Sequence, residues 1–253
     1  MAQGSAGADS MMQVTPELID AATSLYGSKP VFWGRYFTSD TTTGSAEYRH
    51  AAENGPLNSA GVRVLPVARQ TTHVNGTADQ GNADGAANAQ DFIATFGVDV
   101  LAAQGGQFFL FLDVEGNPQN GSPSMNADYY TGWAQGVVNQ SQSLSAGQVR
   151  VLPCLYGARG DTTTFNALQV AMAGGAQCHG VWIARYLDAL VSGTMGDWSD
   201  DVVTPVAPAP FPAPILAWQY AQNCLSSRID CSQTNPAIDL QNDLLRYLVL
   251  PPA

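Results

Sequence analysis

One run of five consecutive apolar residues, Phe-Phe-Leu-Phe-Leu at positions 108–112, constrains the fold of this chain more than any other feature. Successive side chains of a strand point to opposite faces, so this run places apolar side chains on both faces of one strand. Such a strand has to be covered on both sides, as in a parallel sheet that is flanked by helices. The run therefore favours an α/β fold.

Shorter apolar runs alternate with stretches of helical periodicity along the rest of the chain. The first helix is predicted to open at Thr15 and Pro16, a capping hydroxyl followed by a proline at the first helical position, and to end at Gly27. The other predicted elements are helices over 48–57, 81–97 and 128–144, and strands over 30–37, 61–68, 108–116, 149–156, 180–186 and 215–220, with a weak strand at 237–239.

This alternation is typical of βα units, and roughly 250 residues is the usual size of a single (β/α) barrel. We therefore predict an α/β protein with a TIM-type (β/α) barrel in which some helices are missing or irregular. The sequence has no repeat and no long linker, so one domain is predicted over residues 1–253. Residues 1–12 are either flexible or the first strand.

The charge balance excludes several classes of partner. Lys and Arg number 10 against 21 Asp and Glu, which gives a formal net charge of −11 at pH 7. A protein that binds nucleic acid needs a basic surface to displace counterions from phosphates, and an anionic membrane surface would repel this chain for the same reason. No apolar stretch reaches the roughly 18 residues needed to span a bilayer. We therefore expect neither nucleic acid nor a membrane span.

Two carboxylates follow the apolar run, in the segment Asp113-Val114-Glu115. At positions i and i+2 of a strand they point to the same face, and the carboxyl ends of barrel strands are where active sites form. Glycoside cleavage needs an acid that protonates the leaving oxygen and a second group that stabilises positive charge on the sugar. Such a pair is also common at loop entries and cation sites, so the motif alone leaves both interpretations open.

Aromatic, amide and guanidinium side chains gather at the ends of the other predicted strands. Rings stack on the C–H faces of sugars, while amide and guanidinium groups bind sugar hydroxyls. Each aromatic residue taken alone is better explained as part of the core, but their common position favours a sugar site. The candidate substrate-binding residues are Arg35, Tyr156, Trp182, Arg185, Tyr186, Trp218, Gln219 and Tyr220.

Other kinds of chemistry find little support. The three histidines are scattered, and no zinc-protease, phosphate-loop, dinucleotide-binding or nucleophile-elbow motif is present. The four cysteines lack C-x-x-C spacing, so we predict no metal, and no organic cofactor is implied. Cys224 and Cys231 enclose a short, Ser-rich loop, and form either a local disulfide or two thiols.

The order of these segments resembles the glycoside hydrolase family 25 lysozymes, and more closely the glycoside-hydrolase-like domain of unknown function 1906. The resemblance covers most of the chain and implies a (β/α) barrel with muramidase activity on the peptidoglycan glycan. The matching segments are the strands at 32–37, 61–67 and 111–115, Trp-Ile-Ala-Arg-Tyr at 182–186, Trp-Gln-Tyr at 218–220 and the closing Ile-Asp-Leu at 238–240.

By position, the resemblance implies a role for each of four acids. Glu115 would be the general acid, and Asp113 would orient the substrate's N-acetyl group or stabilise the transition state. Asp239 would be the acid of the last strand and Asp9 that of the first. Two acids so close on one strand favour retention of the anomeric configuration. The predicted function is a glycoside hydrolase that acts on peptidoglycan or a related amino-sugar polymer.

Two other functions fit the same barrel. One is a non-catalytic glycan-binding or structural module, and the other is an effector delivered into another cell's envelope, with a cognate inhibitor as partner. Residues 1–10 lack the basic and apolar segments of a secretory signal. A cytosolic protein, another export route and a removed leader are all compatible with this start, and the predicted substrate favours a location outside the cytoplasm.

Overall fold

The computed structural model describes residues 2–37, 48–69, 73–116, 122–187 and 194–253. Within these ranges eight strands close into a barrel, in which each strand pairs with its neighbours in chain order and the last strand pairs with the first. The predicted TIM-type (β/α) barrel is confirmed. The strands are β1 (Ala6–Asp9), β2 (Phe32–Phe37), β3 (Arg63–Arg69), β4 (Gln107–Val114), β5 (Arg150–Ala158), β6 (Val181–Ala184), β7 (Ile215–Asn223) and β8 (Ile229–Thr234).

The strand directions place most of the connecting loops on one rim. Strands β1 to β7 run parallel to one another, whereas β8 runs antiparallel to both β7 and β1. The carboxyl ends of seven strands and the amino end of β8 therefore share the same rim of the barrel. In barrels of this kind that rim carries the functional residues.

Helices surround the barrel between the strands. The first begins as predicted, with Thr15 Oγ1 accepting a hydrogen bond from Leu18 N at 3.2 Å, and ends at Gly27 with a φ of 72°. A helix that had not been predicted follows β5, where its threonine-rich start conceals the helical periodicity. The helices are α1 (Pro16–Tyr26), α2 (His50–Ala60), α3 (Ala78–Phe96), α4 (Val98–Ala103), α5 (Ala127–Leu144), α6 (Thr162–Ala173) and α7 (Asp200–Val203).

The run at 108–112 is covered on both faces, as its composition predicts. Phe109 and Phe111 pack inside the barrel with residues such as Phe32, whereas Phe108 and Leu110 belong to the core between the barrel and the helices. All five residues of the run are buried. The alternation of β4 thus fixes which side of the strand faces the barrel interior, and Asp113 lies on that inner side with Phe109 and Phe111.

Helices α3 and α5 pack against each other through glycines. A Cβ atom at Gly85 would overlap the carbonyl oxygen of Trp133, and one at Gly132 would overlap that of Ala78. Gly81 and Gly136 lie equally close to the facing backbone. The two helix backbones are therefore nearly in contact, and Trp133 Nε1 donates to Asn88 Oδ1 at 3.0 Å beside this seam.

The last strand of the barrel lies earlier in the chain than predicted. Residues 237–239, expected to form a weak strand, lie in a turn, and residues 229–234 form β8 instead. Ile229 and Cys231 pack in the outer core, while Asp230 and Ser232 point to the opposite side of the strand. This alternation of period two was overlooked because the segment is short and largely polar. None of the described helices is both long and apolar enough to cross a bilayer.

Candidate active site

Four carboxylates converge on a cavity of about 100 Å³ at the rim where β1 to β7 end. Asp9 ends β1, Asp113 lies near the end of β4, Asp230 is the second residue of β8, and Glu115 directly follows β4. Asp9 and Asp113 are only 4% and 3% exposed, Asp230 is half-buried and Glu115 is exposed. The cluster therefore has Asp9 and Asp113 buried at its base and Glu115 exposed to solvent at its edge.

The backbone pairing explains why the acids meet. Asp9 lies directly opposite Asp230 in the pairing of β1 with β8, and beside Gly34 in the pairing of β1 with β2. A Cβ atom at Gly34 would lie 2.7 Å from Asp9 Cβ, so the glycine leaves the space that the Asp9 side chain occupies. Asp113 pairs with Tyr156 on β5, which places that ring beside the acids.

Aromatic and amide side chains complete the lining of the cavity. Tyr36, Tyr156, Trp182 and Gln219 lie around the four acids. The Tyr156 hydroxyl donates to Gln219 Oε1, and Gln219 Nε2 donates to Asp230 Oδ2 at 3.1 Å and to Asp9 Oδ1 at 3.4 Å. One glutamine amide thus holds two of the acids and one phenol in a fixed relation.

Burial and mutual repulsion make the inner acids retain their protons to higher pH. Desolvation raises the pKa of Asp9 well above its usual value, and the nearby charges of Asp230, Asp113 and Glu115 raise it further. Desolvation and then the charge of Glu115 likewise raise the pKa of Asp113, whereas Arg69 opposes the shift. Ionising these groups therefore costs free energy that a bound donor or developing positive charge would offset.

Asp113 has an acceptor that the protein does not use. Its Oδ1 atom is buried and has no hydrogen-bond partner among the residues that the structure describes. Buried carboxylate oxygens are nearly always hydrogen-bonded, and leaving one unsatisfied costs about 1–3 kcal/mol. Because Asp113 lines the cavity, this atom is placed to accept a hydrogen bond from a ligand.

A wider groove of about 550 Å³ adjoins the acid cavity across the ends of β4, β5 and β6. Glu115, Tyr156 and Tyr186 line both spaces, and Thr162 and Thr163 add hydroxyl groups at the start of α6. Tyr186 is 43% exposed, so its ring faces solvent within the groove. The exposed Glu115 carboxylate therefore lies where the buried acids meet a space large enough for part of a polymer.

Five of the predicted substrate-binding residues lie at these two spaces. Tyr156, Trp182, Tyr186 and Gln219 line the acid cavity, and Arg185 lines the groove. The Arg185 guanidinium also donates to Val202 O at 2.8 Å, which ties the edge of the groove to α7. These five residues therefore lie at one rim of the barrel, and their role in substrate binding stays a prediction.

Three other predicted residues face away from the site, because neighbouring residues in a strand point to opposite faces. Arg35 precedes the cavity residue Tyr36 and is fully buried on the helix side, where its Nε lies 2.8 Å from Glu53 Oε2 and its guanidinium donates to Ser10 O. Trp218 and Tyr220 flank Gln219 and pack in the outer core.

Asp239 lies outside the acid cluster. Its Oδ1 atom accepts hydrogen bonds from the backbone N–H groups of Gln241 and Asn242, both at 3.1 Å, at the start of a short π-helix, Leu240–Leu244. The Asn242 side-chain amide also donates to Asp239 Oδ2 at 2.7 Å, and this bond, followed by the backbone bonds, lowers the pKa of the exposed carboxyl. The resemblance assigned Asp239 to the last strand, and the structure corrects this, since Asp230 is the acid that β8 contributes.

Sequence reasoning missed two residues of the cavity, Tyr36 and Asp230. Both could be found from alternation: Tyr36 follows the outward-facing Arg35, and Asp230 lies between the apolar residues Ile229 and Cys231. Within the described ranges, no group of three or more His, Cys, Asp or Glu side chains is arranged to hold a metal ion.

Comparison with known proteins identifies relatives of the fold. The sequence matches no family profile and no curated protein. Among solved structures, an uncharacterized protein from B. stearothermophilus matches with a TM-score of 0.64 and 20% identity, over 97% of this chain and all of the other. A family 25 glycosyl hydrolase from Bacillus anthracis matches with a TM-score of 0.53 and 13% identity, over 95% of this chain and 93% of the other.

A third match is the modular autolysin LytC from Streptococcus pneumoniae, with a TM-score of 0.52 and 14% identity over 92% of this chain and 47% of the autolysin. The same autolysin in complex with a synthetic peptidoglycan ligand matches with a TM-score of 0.51. This chain has a glycoside-hydrolase-like barrel fold. Because these identities are low, the likeness is one of fold, and function has to be argued from the site.

Proposed function

We propose that this protein is a glycoside hydrolase that acts on peptidoglycan or a related amino-sugar polymer, with Glu115 as the general acid. The observation that carries the proposal is the position of Glu115, an exposed carboxylate between the cavity that holds three other acids and a groove of about 550 Å³. Cleavage of a glycosidic bond needs a proton donor at the leaving oxygen and negative charge near the anomeric carbon. This arrangement offers both.

Glu115 protonates the glycosidic oxygen of a chain that lies in the groove. Asp113 is two residues earlier on the same strand, roughly 6.6 Å away along the backbone. It stabilises the positive charge at the anomeric centre directly, or its unsatisfied Oδ1 accepts from the substrate's acetamido N–H and so orients the acetamido oxygen. On the second route the acetamido oxygen attacks the anomeric carbon as the glycosidic oxygen leaves with the proton from Glu115. A water molecule that Glu115 deprotonates then displaces the acetamido oxygen from that carbon, and the two inversions give net retention of the anomeric configuration.

The remaining groups hold the sugar and the acids. The exposed Tyr186 provides a ring face on which a sugar stacks, whereas the buried rings of Tyr156 and Trp182 form the wall of the acid cavity. Gln219 holds Asp9 and Asp230 in place. The proposal of peptidoglycan as the polymer is supported by the fold shared with an autolysin that was solved in complex with a synthetic peptidoglycan ligand, and by the resemblance of the strand segments to the family 25 lysozymes.

Product analysis tests the assignment. Purified peptidoglycan is incubated with the wild type and with Glu115→Gln from about pH 4 to pH 8, and the released muropeptides are identified by mass spectrometry. Removing a general acid typically costs 10²–10⁴-fold in rate, so we expect at least a roughly 100-fold loss in the variant. The new reducing ends also identify which glycosidic bond is cleaved.

Asp239→Asn is the matched control, because it neutralises an exposed acid outside the cavity and should keep wild-type activity. Equal activity of Glu115→Gln and the wild type would show that Glu115 is not the acid. If the wild type releases nothing from several peptidoglycans but sediments with them, the barrel is a glycan-binding module instead.

A further inference from the structure

Cys224 and Cys231 lie side by side next to the acid cavity. Cys224 follows β7, Cys231 belongs to β8, and both are buried in the outer core. Their thiols are within hydrogen-bonding contact. Cys224 Sγ also lies 3.9 Å from Gln222 O, and the thiol of Cys178, elsewhere in the barrel, donates to Gly180 O at 3.5 Å. All four cysteines are reduced in the structure.

The segment between Cys224 and Cys231 has an unusual backbone. Leu225, Ser226 and Ser227 have φ angles of 52°, 60° and 64°, and Asn223 has a φ of 58°. Three successive non-glycine residues in the left-handed region are rare, because the Cβ atom of each crowds the following carbonyl oxygen. Such a turn persists only where the surrounding contacts hold it in place.

This left-handed turn is joined directly to the acid cavity. Asp230 lies between Ile229 and Cys231, and its Oδ1 accepts from Asn223 N at 2.7 Å. An isolated bridge pairs Cys224 with Ile229 at the base of the turn. The position of one acid of the cavity therefore depends on the conformation of the segment that the two cysteines enclose.

We propose that Cys224 and Cys231 form a disulfide bond when the protein folds in an oxidising compartment, and that this bond fixes the left-handed turn beside Asp230. The bond closes a loop of eight residues around the strained segment. It also links the end of β7 to β8, the two strands that carry Gln219 and Asp230.

The bond forms by exchange with a disulfide donor, such as oxidised glutathione or a thiol oxidase of the compartment. The Cys224 thiolate attacks one donor sulfur and releases the other as a thiol, which gives a mixed disulfide. Cys231 then loses its proton and attacks Cys224 Sγ, which releases the second donor thiol. The two cysteines lose two electrons and two protons, and the donor disulfide gains both.

The environment favours Cys224 as the first nucleophile. The hydrogen bond from the Cys231 thiol lowers the pKa of Cys224, while the same hydrogen bond and then burial raise the pKa of Cys231. Cys224 is also the cysteine next to the exposed residues Ser226 and Ser227, so local opening of the turn uncovers it first.

Peptide mapping tests the pairing directly. The protein is produced in the bacterial periplasm, where disulfides form during folding. Remaining thiols are alkylated and the unreduced protein is digested with trypsin, which separates all four cysteines into the peptides 151–159, 160–185, 186–228 and 229–246. We expect peptide 186–228 linked to peptide 229–246. Alkylated Cys224 and Cys231, or a link from either of their peptides to 151–159 or 160–185, would overturn the proposal.

Thermal unfolding tests whether the bond fixes the turn. A disulfide that closes so short a loop should raise the Tm of a chain of this size by about 5 °C. We expect the wild type to lose this increment in dithiothreitol, and the double variant Cys224→Ser, Cys231→Ser to melt at the same temperature with and without reductant. Cys178→Ser is the control and should keep the increment. A reductant-insensitive Tm in a wild type that carries the link would overturn the stabilising role.

Discussion

At the scale of single residues, the two buried acids are the groups whose ionisation most opposes folding. Asp9 and Asp113 have raised pKa values because they are desolvated and lie near other carboxylates. In the unfolded chain both would ionise near pH 4, whereas in the folded chain they keep their protons to higher pH. Their contribution to stability is therefore fully present below about pH 4 and is lost as the pH rises through their raised values.

This pH dependence leads to a stability prediction for Asp113→Asn. The amide cannot ionise, so the variant should be more stable than the wild type at pH 7, with a Tm higher by about 2 °C or more, and the gain should vanish near pH 4. Thermal unfolding at pH 4, 5, 6 and 7 measures the difference. Activity on peptidoglycan should fall in the same variant, which would place the site among those that trade stability for function.

Asp239→Asn is the control for the direction of the stability change, because the pKa of Asp239 is lowered by hydrogen bonds in the folded state. This variant should show no gain at pH 7. A gain for Asp113→Asn that is equal at pH 4 and pH 7 would contradict the electrostatic explanation.

The candidate site was partly readable from the sequence, residue by residue. Asp113 and Glu115 could be predicted because the apolar run identifies a buried strand and the two acids share one of its faces. Trp218 and Tyr220 were assigned to the site because their strand was recognised, but which face of that strand looks inward was not. Asp230 was missed because its strand contains few apolar residues.

At the scale of elements, the seam between α3 and α5 leads to a second stability prediction. Gly85→Ala should destabilise the protein by about 2–3 kcal/mol, because the new methyl group overlaps the Trp133 carbonyl and forces the helices apart. The higher helix propensity of alanine, worth about 1 kcal/mol, offsets only part of this cost. Urea unfolding measures the change.

Gly160, between β5 and α6, provides the control, because a Cβ atom there would meet nothing within 4 Å and its φ lies outside the left-handed region. Gly160→Ala should therefore be neutral or stabilising by up to about 1 kcal/mol. If Gly85→Ala is as stable as Gly160→Ala, close packing does not decide the role of Gly85.

Elements with strong local signals were predicted well, and those defined by tertiary contacts were not. Helix α1 has its capping residue, its proline and its terminal glycine in sequence, so its bounds follow from local chemistry. Strand β8 has only six residues and owes its conformation to pairing with both β7 and β1. Although β7 ends shortly before it, β1 lies at the other end of the chain, so a local pattern gives no sign of half of its pairing.

At the scale of the whole molecule, the net charge of −11 bears on the proposed substrate. Peptidoglycan in cell walls is accompanied by negative charge, and the acid cavity adds to the repulsion. The screening length falls from about 30 Å at 10 mM salt to about 8 Å at 150 mM. We therefore expect the rate of wall digestion to rise several-fold over this range of sodium chloride concentration.

An uncharged soluble amino-sugar oligomer is the comparison substrate, and its rate of cleavage should change little with salt. Turbidity loss of cell walls and chromatography of the oligomer products provide the two measurements. A rate on walls that falls with added salt would show that a local basic surface, and not the net charge, governs the approach to the wall.

The pairing of β1 with β8 joins residues 6–9 to residues 230–233, and Gly4 N also donates to Gln233 Oε1 at 2.9 Å. The ribosome adds about 5–20 residues per second, so roughly 10–40 s pass between the synthesis of β1 and the synthesis of β8, its second neighbour in the barrel. During that interval β1 has an unpaired edge, and Asp9 faces neither Asp230 nor Gln219. An amino-terminal fragment that ends before Asp230 lacks one of the four acids of the cavity. The site is therefore complete only when β8 pairs with β1 and closes the barrel.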